Sequence, residues 1–506
     1  MQVCTTSNPQ SGFKMLISEL AIENIKGFGE KQTGISLSFT RSDGSLPRWI
    51  VIAGRNGAGK SSFLQAIALA IAGPSVARTL RETYADWVRD GAHEGHAKVH
   101  LRLSDFDAFA PGRKPNFDPW AGLRWIRQEE GPEPSIERTK DKAREVWDPS
   151  RGPWSSNPQG WFLAGYGPFR RLSLAPTEAQ RLMMTPGRPA SLASLFREEA
   201  SLSESVLWLQ QLYLRKLEGS EDAQQVEQAV LRLLGDGLLP EGMEVKRVTS
   251  DGLWVTTPDG IELPLRSLSD GYRTVAALVL DLVKQLYAVY GDLREIDGPG
   301  ISFGHEGVVL IDEIDVHLHV SWQQRIGFWL KDHFPNLQFI VSTHSPFICQ
   351  AADDKGLVRL SAPGERDGAR ILEGELFNRV VNGTADDAVL TDLFGLETPY
   401  SSQTVALRTE AASLERKAVA EHISSAERAR LKEIKSKLPR TPSTDVADAI
   451  HQLTLADLIK DAIDQLAEEA PTARRPLVDR IRGSRYHNMK ELRPPSSGTS
   501  EIRMLF

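Results

Sequence analysis

Cysteine is almost missing from this chain: Cys4 and Cys349 are the two thiols in 506 residues. Set so far apart, they exclude a disulfide framework and suit a reducing compartment. No apolar run approaches the roughly 20 residues that a membrane-crossing helix needs, so no membrane association is expected. The N-terminus shows no basic stretch leading into an apolar one, so no secretory leader is expected and the protein reads as cytoplasmic. A basic field is lacking too. Lys and Arg number 60 against 67 Asp and Glu, a formal charge of −7, so any nucleic-acid surface must be local. Heptads are not sustained anywhere, which excludes a long coiled-coil arm. At this length, two or three folded units are expected.

Four short stretches are what the chain does hold, and in order they compose one site. The first is Gly54-Arg55-Asn56-Gly57-Ala58-Gly59-Lys60-Ser61, with the G-x-x-x-x-G-K-[ST] spacing. Apolar Trp49 to Ala53 precede it, as in a strand buried on both faces. A helical pattern from Ser62 to Ile71 follows, stopped by Gly73-Pro74. The glycines therefore lie on a strand-to-helix turn, where backbone N–H groups and the helix N-terminus can surround phosphate oxygens. Gly54 to Ser62 would line a bound nucleotide, Lys60 would reach its β- and γ-phosphates, and Ser61 would ligate Mg²⁺.

Val308 to Ile311 reads as a second buried strand, ending in Asp312-Glu313. Asp312 suits the shell of Mg²⁺. Glu313 suits polarising an attacking water, which needs a base within hydrogen-bond reach. A third strand, Leu337 to Val341, delivers Ser342-Thr343-His344-Ser345-Pro346, which sets His344 at a strand end. The fourth stretch, Leu268-Ser269-Asp270-Gly271-Tyr272-Arg273, opens a helix. Ser269 can cap that helix, and the small Gly271 lets a phosphate approach the backbone.

This order of motifs resembles the ABC ATPase superfamily, and within it the soluble SMC- and RecF-like branch. The resemblance implies an α/β fold: a P-loop ABC-type head, a mixed sheet with flanking helices, carrying a large insertion and a helical C-terminal region. It implies ATP and Mg²⁺ as cofactors. It also implies that Ser269, Asp270 and Gly271 reach the γ-phosphate held by a second copy, so that ATP closes a homodimer or higher oligomer and hydrolysis opens it. Glu313, His344 and Lys60 are then the catalytic candidates, with Ser61 and Asp312 at the metal.

Transporters of the superfamily usually read LSGGQ, whereas this chain reads LSDGYR. After the second strand it reads Asp312-Glu313-Ile314-Asp315-Val316-His317-Leu318-His319, similar to RecF-like and overcoming-lysogenization-type ATPases. His317 and His319 are read as residues of a dimer seam rather than metal ligands. Leu20 to Gly29 resembles the opening strand and loop of SMC- and RecF-like heads. Gly165-Tyr166-Gly167-Pro168-Phe169-Arg170-Arg171, after a strand at Trp161 to Ala164, stands where such heads keep a glutamine loop. Its two arginines are candidates for nucleotide or nucleic-acid contact.

The expected organisation is a disordered lead (1–14), a first head lobe (15–75), an inserted subdomain (76–239), a second head lobe (240–362), a helical hairpin region (363–454) and a basic segment (455–506). Met15 opens the recognisable part. Six of the eleven Trp fall between residues 84 and 161; holding a loop-rich subdomain together is the reading preferred over base stacking. Residues 245–266 read as a strand meander with turns at Asp251-Gly252 and Asp259-Gly260. Residues 176–237 read as helical. Residues 403–438 read as two charged helices, with Leu407, Leu414, Leu431, Ile434 and Leu438 at helical spacing.

The signature, the Asp312 to His319 run and the segment Asp392-Leu393-Phe394-Gly395-Leu396 with its hairpin resemble the ATPase subunit of Septu-type anti-phage systems, including retron-associated ones. In such systems the nuclease is a separate HNH protein, so an HNH-type partner is implied. This chain shows no H-N-H cluster. Glu373-Gly374 is not followed by the acidic strand end that a TOPRIM nuclease needs, so intrinsic nuclease activity is not expected. Residues 455–506 resemble the first half of a RelE/HigB-type toxin, through Ala462 to Glu468, Arg475 to Ile481, His487 to Arg493 and Glu501 to Phe506. The family's later strands with basic catalytic residues are missing here, so a remnant or docking element is expected. From 474 to 506 there are eight Lys and Arg against three Asp and Glu, a charge that could touch RNA, DNA or an acidic partner. The leading expectation is a defence ATPase governing a partner nuclease. The alternatives are an SMC/RecF-like DNA-repair ATPase and an ATPase-linked toxin-antitoxin protein.

Overall fold

The computed structural model describes residues 15–139, 148–155, 158–168, 182, 187–200, 202–239, 242–362, 364–365, 368–420 and 422–438. The readings made for 1–14, for Phe169, Arg170 and Arg171, and for 455–506 lie outside these residues. In chain order the strands and helices begin with β1 (Leu16–Glu23), β2 (Ile35–Ser38), β3 (Trp49–Ala53), α1 (Lys60–Ala72) and α2 (Pro74–Leu80). There follow β4 (Glu94–Arg102), β5 (Trp120–Ile126), β6 (Ser135–Arg138) and β7 (Leu163–Tyr166), then α3 (Arg188–Phe196), α4 (Ser203–Leu217) and α5 (Glu221–Gly235). Next come β8 (Glu244–Thr249), β9 (Gly252–Thr256), β10 (Glu262–Pro264), α6 (Asp270–Tyr290), β11 (Gly307–Ile311), α7 (Val320–His333) and β12 (Leu337–Thr343). The series ends with α8 (Pro346–Cys349), β13 (Leu357–Arg359), β14 (Arg370–Ile371), α9 (Gly374–Val381), α10 (Ala385–Val389), α11 (Ser402–Val419) and α12 (Ser425–Lys437).

The central sheet has the order β14-β13-β3-β12-β11-β7. Five of its strands run parallel, and β14 closes the edge antiparallel. Strands buried on both faces read as near-continuous apolar runs, and β3, β11 and β12 are buried throughout; the mid-strand Gln338 of β12 is bonded to Ile17 N–H and to the Ile17 and Pro47 carbonyls. Alternate residues feed two cores. Trp49, Val51, Val309 and Phe339 face one with α5 and α6. Ile50, Ile52, Leu310 and Ile340 face the other with α1 and the antiparallel sheet β2-β1-β4-β5-β6. The expected meander forms the three-stranded sheet β10-β9-β8.

The stretch 76–239, expected as an insertion, supplies four strands to the head. β4 pairs with β1, β5 and β6 extend that sheet, and β7 pairs with β11 in the central one. Sequence distance hid this, because β4 reaches β1 across the whole of α1 and α2. The tryptophans of this stretch are mostly structural: Trp87, Trp125 and Trp161 are fully buried, and Tyr84, Trp87 and Trp125 pack ring on ring. Trp154 Nε1 donates to the Ala70 carbonyl at 3.1 Å.

The chain divides into two compact units between Thr398 and Pro399. In the second, α11 and α12 form the hairpin read from the sequence. Leu414 and Ile434 are buried in its core with Ala411 and Ile423, and Leu407, Leu431 and Leu438 pack against it. Ser424 and Glu427 form a capping box at the start of α12, and Arg430 donates to both carboxylate oxygens of Glu410. Among the described residues no helix is long and apolar enough to cross a membrane.

Candidate functional site

Because β3, β12 and β11 are adjacent and parallel, the segments that leave their carboxyl ends meet at one edge of the sheet. Ala53 is in register with Thr343, and Val341 with Ile311. Gly54, His344 and Asp312 are the next residues after those strands or their last pairs. Open α/β sheets bind ligands at this end.

The phosphate-loop turn forms as its glycines require. Gly57 and Gly59 have φ of 80° and 85°, a region that costs residues with a Cβ energy. A Cβ on Gly59 would also stand 2.8 Å from the ring of Phe28, which the loop after β1 folds onto this turn. Ala58 N–H donates to the Arg55 carbonyl at 3.2 Å. Lys60 opens α1, with the exposed Ser61 and half-buried Ser62 next on its first turn. Asn56 is exposed, whereas Arg55 turns aside and donates to the Gly395 carbonyl at 3.0 Å. The segment 392–396 thus docks on the phosphate loop.

Lys60 is buried. Its Nζ donates to the Gly54 carbonyl at 3.0 Å and lies 2.6 Å from Nε2 of His344. Burial lowers the pKa of Lys60, against the raising influence of Glu313, Asp312 and Asp315. Burial, then Lys60 itself, lowers that of His344. The two nitrogens thus form a hydrogen-bonded pair in which each group's charged form is disfavoured by burial.

Asp312 is buried and accepts from the Ser342 hydroxyl at 2.5 Å. Glu313 follows with φ of 45°, a left-handed conformation costing on the order of 1–3 kcal/mol for a non-glycine residue. Three bonds hold it there: Glu313 N–H to Ser342 Oγ at 2.8 Å, Ile314 N–H to the Ser342 carbonyl at 3.1 Å, and Val316 N–H to the Glu313 carbonyl at 3.0 Å. Asp315 accepts from Thr343 Oγ1 at 2.5 Å.

The signature turn lies with the 315–319 loop. A Cβ on Gly271 would meet the His317 carbonyl oxygen at 2.4 Å, so only glycine allows this approach. Ser269, Gly271, Tyr272, His317, His319 and Trp322 line a recess of about 400 Å³. Ser269 takes the N-cap position of α6 and is exposed, but its side chain accepts no capping bond, contrary to the expected cap. Asp270 pairs instead with Arg273. Among the described residues, Ser269, Asp270 and Gly271 make no hydrogen bond or ion pair to the phosphate loop. His319 caps α7 by accepting from Ser321 N–H at 3.3 Å.

Tyr166 joins the two halves of the site. Its carbonyl accepts from Asp312 N–H at 2.7 Å, and its hydroxyl donates to Asp281 of α6 at 3.1 Å. Burial raises the pKa of both side chains. Asp281, Asp315 and Ser342 carried no role in the sequence reading. Asp315 alone had a visible signal, as a third acid within four residues of Asp312.

The donor set fits a nucleotide with Mg²⁺. Asp312, Glu313 and Asp315 each act electrostatically on Lys60, so carboxylates of the kind Mg²⁺ takes stand near the phosphate-loop lysine. Among the described residues no group of three or more His, Cys, Asp or Glu could itself hold a metal. Mg²⁺ is typically held by one or two carboxylates plus substrate phosphates rather than by a dedicated cage.

Fold and site together have the architecture of a P-loop ABC-type head. The comparisons with known proteins agree with that class. Residues 187–350 match the family described as "AAA domain, putative AbiEii toxin, Type IV TA system", and residues 19–116 match a family described as "AAA domain". The chain is related in sequence to Septu protein PtuA of Bacillus mycoides, 27% identical over 70% of this chain and 42% of that protein. It is also related to the "Retron Ec83 probable ATPase" of Escherichia coli, 39% identical over 20% of this chain and 18% of that protein. A likeness to "Putative toxin HigB2" of Mycobacterium tuberculosis runs at 58% identity over 10% of this chain and 25% of that protein. In each case the match spans less than half of the relative's length. Among solved structures, an SMC head bound to the C-terminal winged-helix domain of ScpA is 17% identical with a TM-score of 0.42, over 71% of this chain and 98% of that one.

Proposed function

We propose that the protein binds ATP with Mg²⁺ between two copies of its head, hydrolyses it, and through this cycle governs a separate nuclease in defence against phage. The observation that carries the ATP reading is the meeting of Lys60, His344 and the Asp312-Glu313 pair at the ends of three adjacent parallel strands. Lys60 would leave His344 for the β- and γ-phosphates, where both partners of the bond carry charge. Glu313 would orient the attacking water and accept its proton. His344, neutral, would face the γ-phosphate. Asp312 and Ser61 would hold Mg²⁺, which when bound neutralises phosphate charge.

Dimer closure is favoured by the exposure of Ser269 and Asp270 and by the lack of any bond from the signature to its own phosphate loop. The defence role rests on the similarity to Septu protein PtuA and to the retron Ec83 probable ATPase. Purification of the native complex tests it: an HNH nuclease should copurify. Turnover stimulated by DNA with no partner bound would instead support the DNA-repair reading. The HigB2 likeness favours a second reading for the basic segment, as an element that contacts RNA or a partner. Ribosome-dependent mRNA cleavage by the full chain would promote that reading to the main activity.

A further inference from the structure

Ser342, fully buried and next to last in β12, makes two side-chain bonds at once. Its hydroxyl donates to Asp312 Oδ1 at 2.5 Å and accepts from Glu313 N–H at 2.8 Å. Its carbonyl accepts from Ile314 N–H at 3.1 Å. Three consecutive residues after β11 therefore hang from one residue of the neighbouring strand. A hydroxyl has a single proton and two lone pairs. Here the proton is committed to a carboxylate and one lone pair to an amide, so turning the side chain about Cα–Cβ would break both bonds. The same bonds hold Glu313 at φ 45°, where an unconstrained residue would not stay.

We infer that Ser342 is a positioning residue: it fixes the direction of the Asp312 carboxylate and holds the backbone of Glu313 in the left-handed turn that aims its side chain. This rests on the ATPase reading given above. A group that orients a metal-binding carboxylate without touching the metal tunes affinity through that carboxylate. Alanine at 342 removes one oxygen and leaves the strand's packing in place. Threonine restores the hydroxyl.

The test compares wild type, Ser342→Ala and Ser342→Thr by binding of a fluorescent ATP analogue, with and without Mg²⁺, alongside melting temperature and turnover. For Ser342→Ala, metal-free binding should stay within about twofold of wild type, since Lys60 and its loop are untouched. The Mg²⁺ concentration at half-saturation should rise, and kcat should fall, each roughly 10- to 100-fold. Ser342→Thr should recover the Mg²⁺ half-point. If threonine fails to fold, as its melting curve would show, the alanine variant decides alone. A wild-type Mg²⁺ half-point and kcat in Ser342→Ala overturn the inference, as does a lowered melting temperature with no change in Mg²⁺ response. A wild-type protein that binds the analogue without any Mg²⁺ effect and without turnover would instead refute the ATPase reading itself.

Discussion

Nζ of Lys60 stands 2.6 Å from Nε2 of His344, so the cation of the phosphate loop is held by the imidazole at the end of the adjacent strand. Burial followed by Lys60 lowers the pKa of His344. An unfolded histidine takes up its proton near pH 6.5, roughly. Folded His344 resists until lower pH, so below that point the unfolded state holds more protons and stability falls as pH falls. The effect levels off once the pH is below the folded value. Because His344 is partly exposed, screening keeps it modest. Melting temperatures between pH 7.5 and 5 should drop more for wild type than for His344→Gln. Parallel curves would show that the pair contributes nothing.

Lys60→Ala removes the main positive charge available to the phosphates and should abolish ATP binding. At ligand concentrations near 100 times Kd, wild type should gain about 2.7 kcal/mol of stability from ATP, and the variant none. Wild-type stabilisation in the variant would refute the assignment of this loop.

Glu313→Gln keeps the size and the left-handed backbone of residue 313 but cannot accept a proton from water. ATP should still bind and hydrolysis should stall. The heads should then stay closed, as an ATP-dependent dimer in size-exclusion chromatography. Unchanged turnover would assign the water to another group.

Ser269→Arg places bulk on an exposed helix start that makes no bond to its own phosphate loop. ATP affinity should remain near normal, while dimer closure and turnover should be lost. Mixed in equal amounts with Lys60→Ala, one composite site of a heterodimer carries both lesions and the other carries neither. Partial recovery of turnover is the expected outcome. Normal hydrolysis by a monomeric Ser269→Arg protein would refute completion of the site by a second copy.

What the sequence by itself determined was local. The glycine turn before α1 is dictated by backbone conformations that Gly57 and Gly59 tolerate. β3 and β11 are dictated by unbroken apolar runs, β12 by one interrupted only at Gln338, and the α11–α12 hairpin by the helical spacing of Leu407, Leu414, Leu431 and Ile434. Each of these is a property of a few consecutive residues, so it can be read without knowing what lies beside it. Strand order is not such a property. Only the tertiary structure set β12 between β3 and β11, although β12 follows both in sequence, and so brought His344 to Lys60 and Ser342 to Asp312. It likewise drew β4 to β7 out of the expected insertion into the head, set Gly271 against His317, and laid Gly395 on Arg55. Those contacts join residues tens to hundreds of positions apart, beyond the reach of any local preference, and the strand pairings among them follow from burial of both sheet faces.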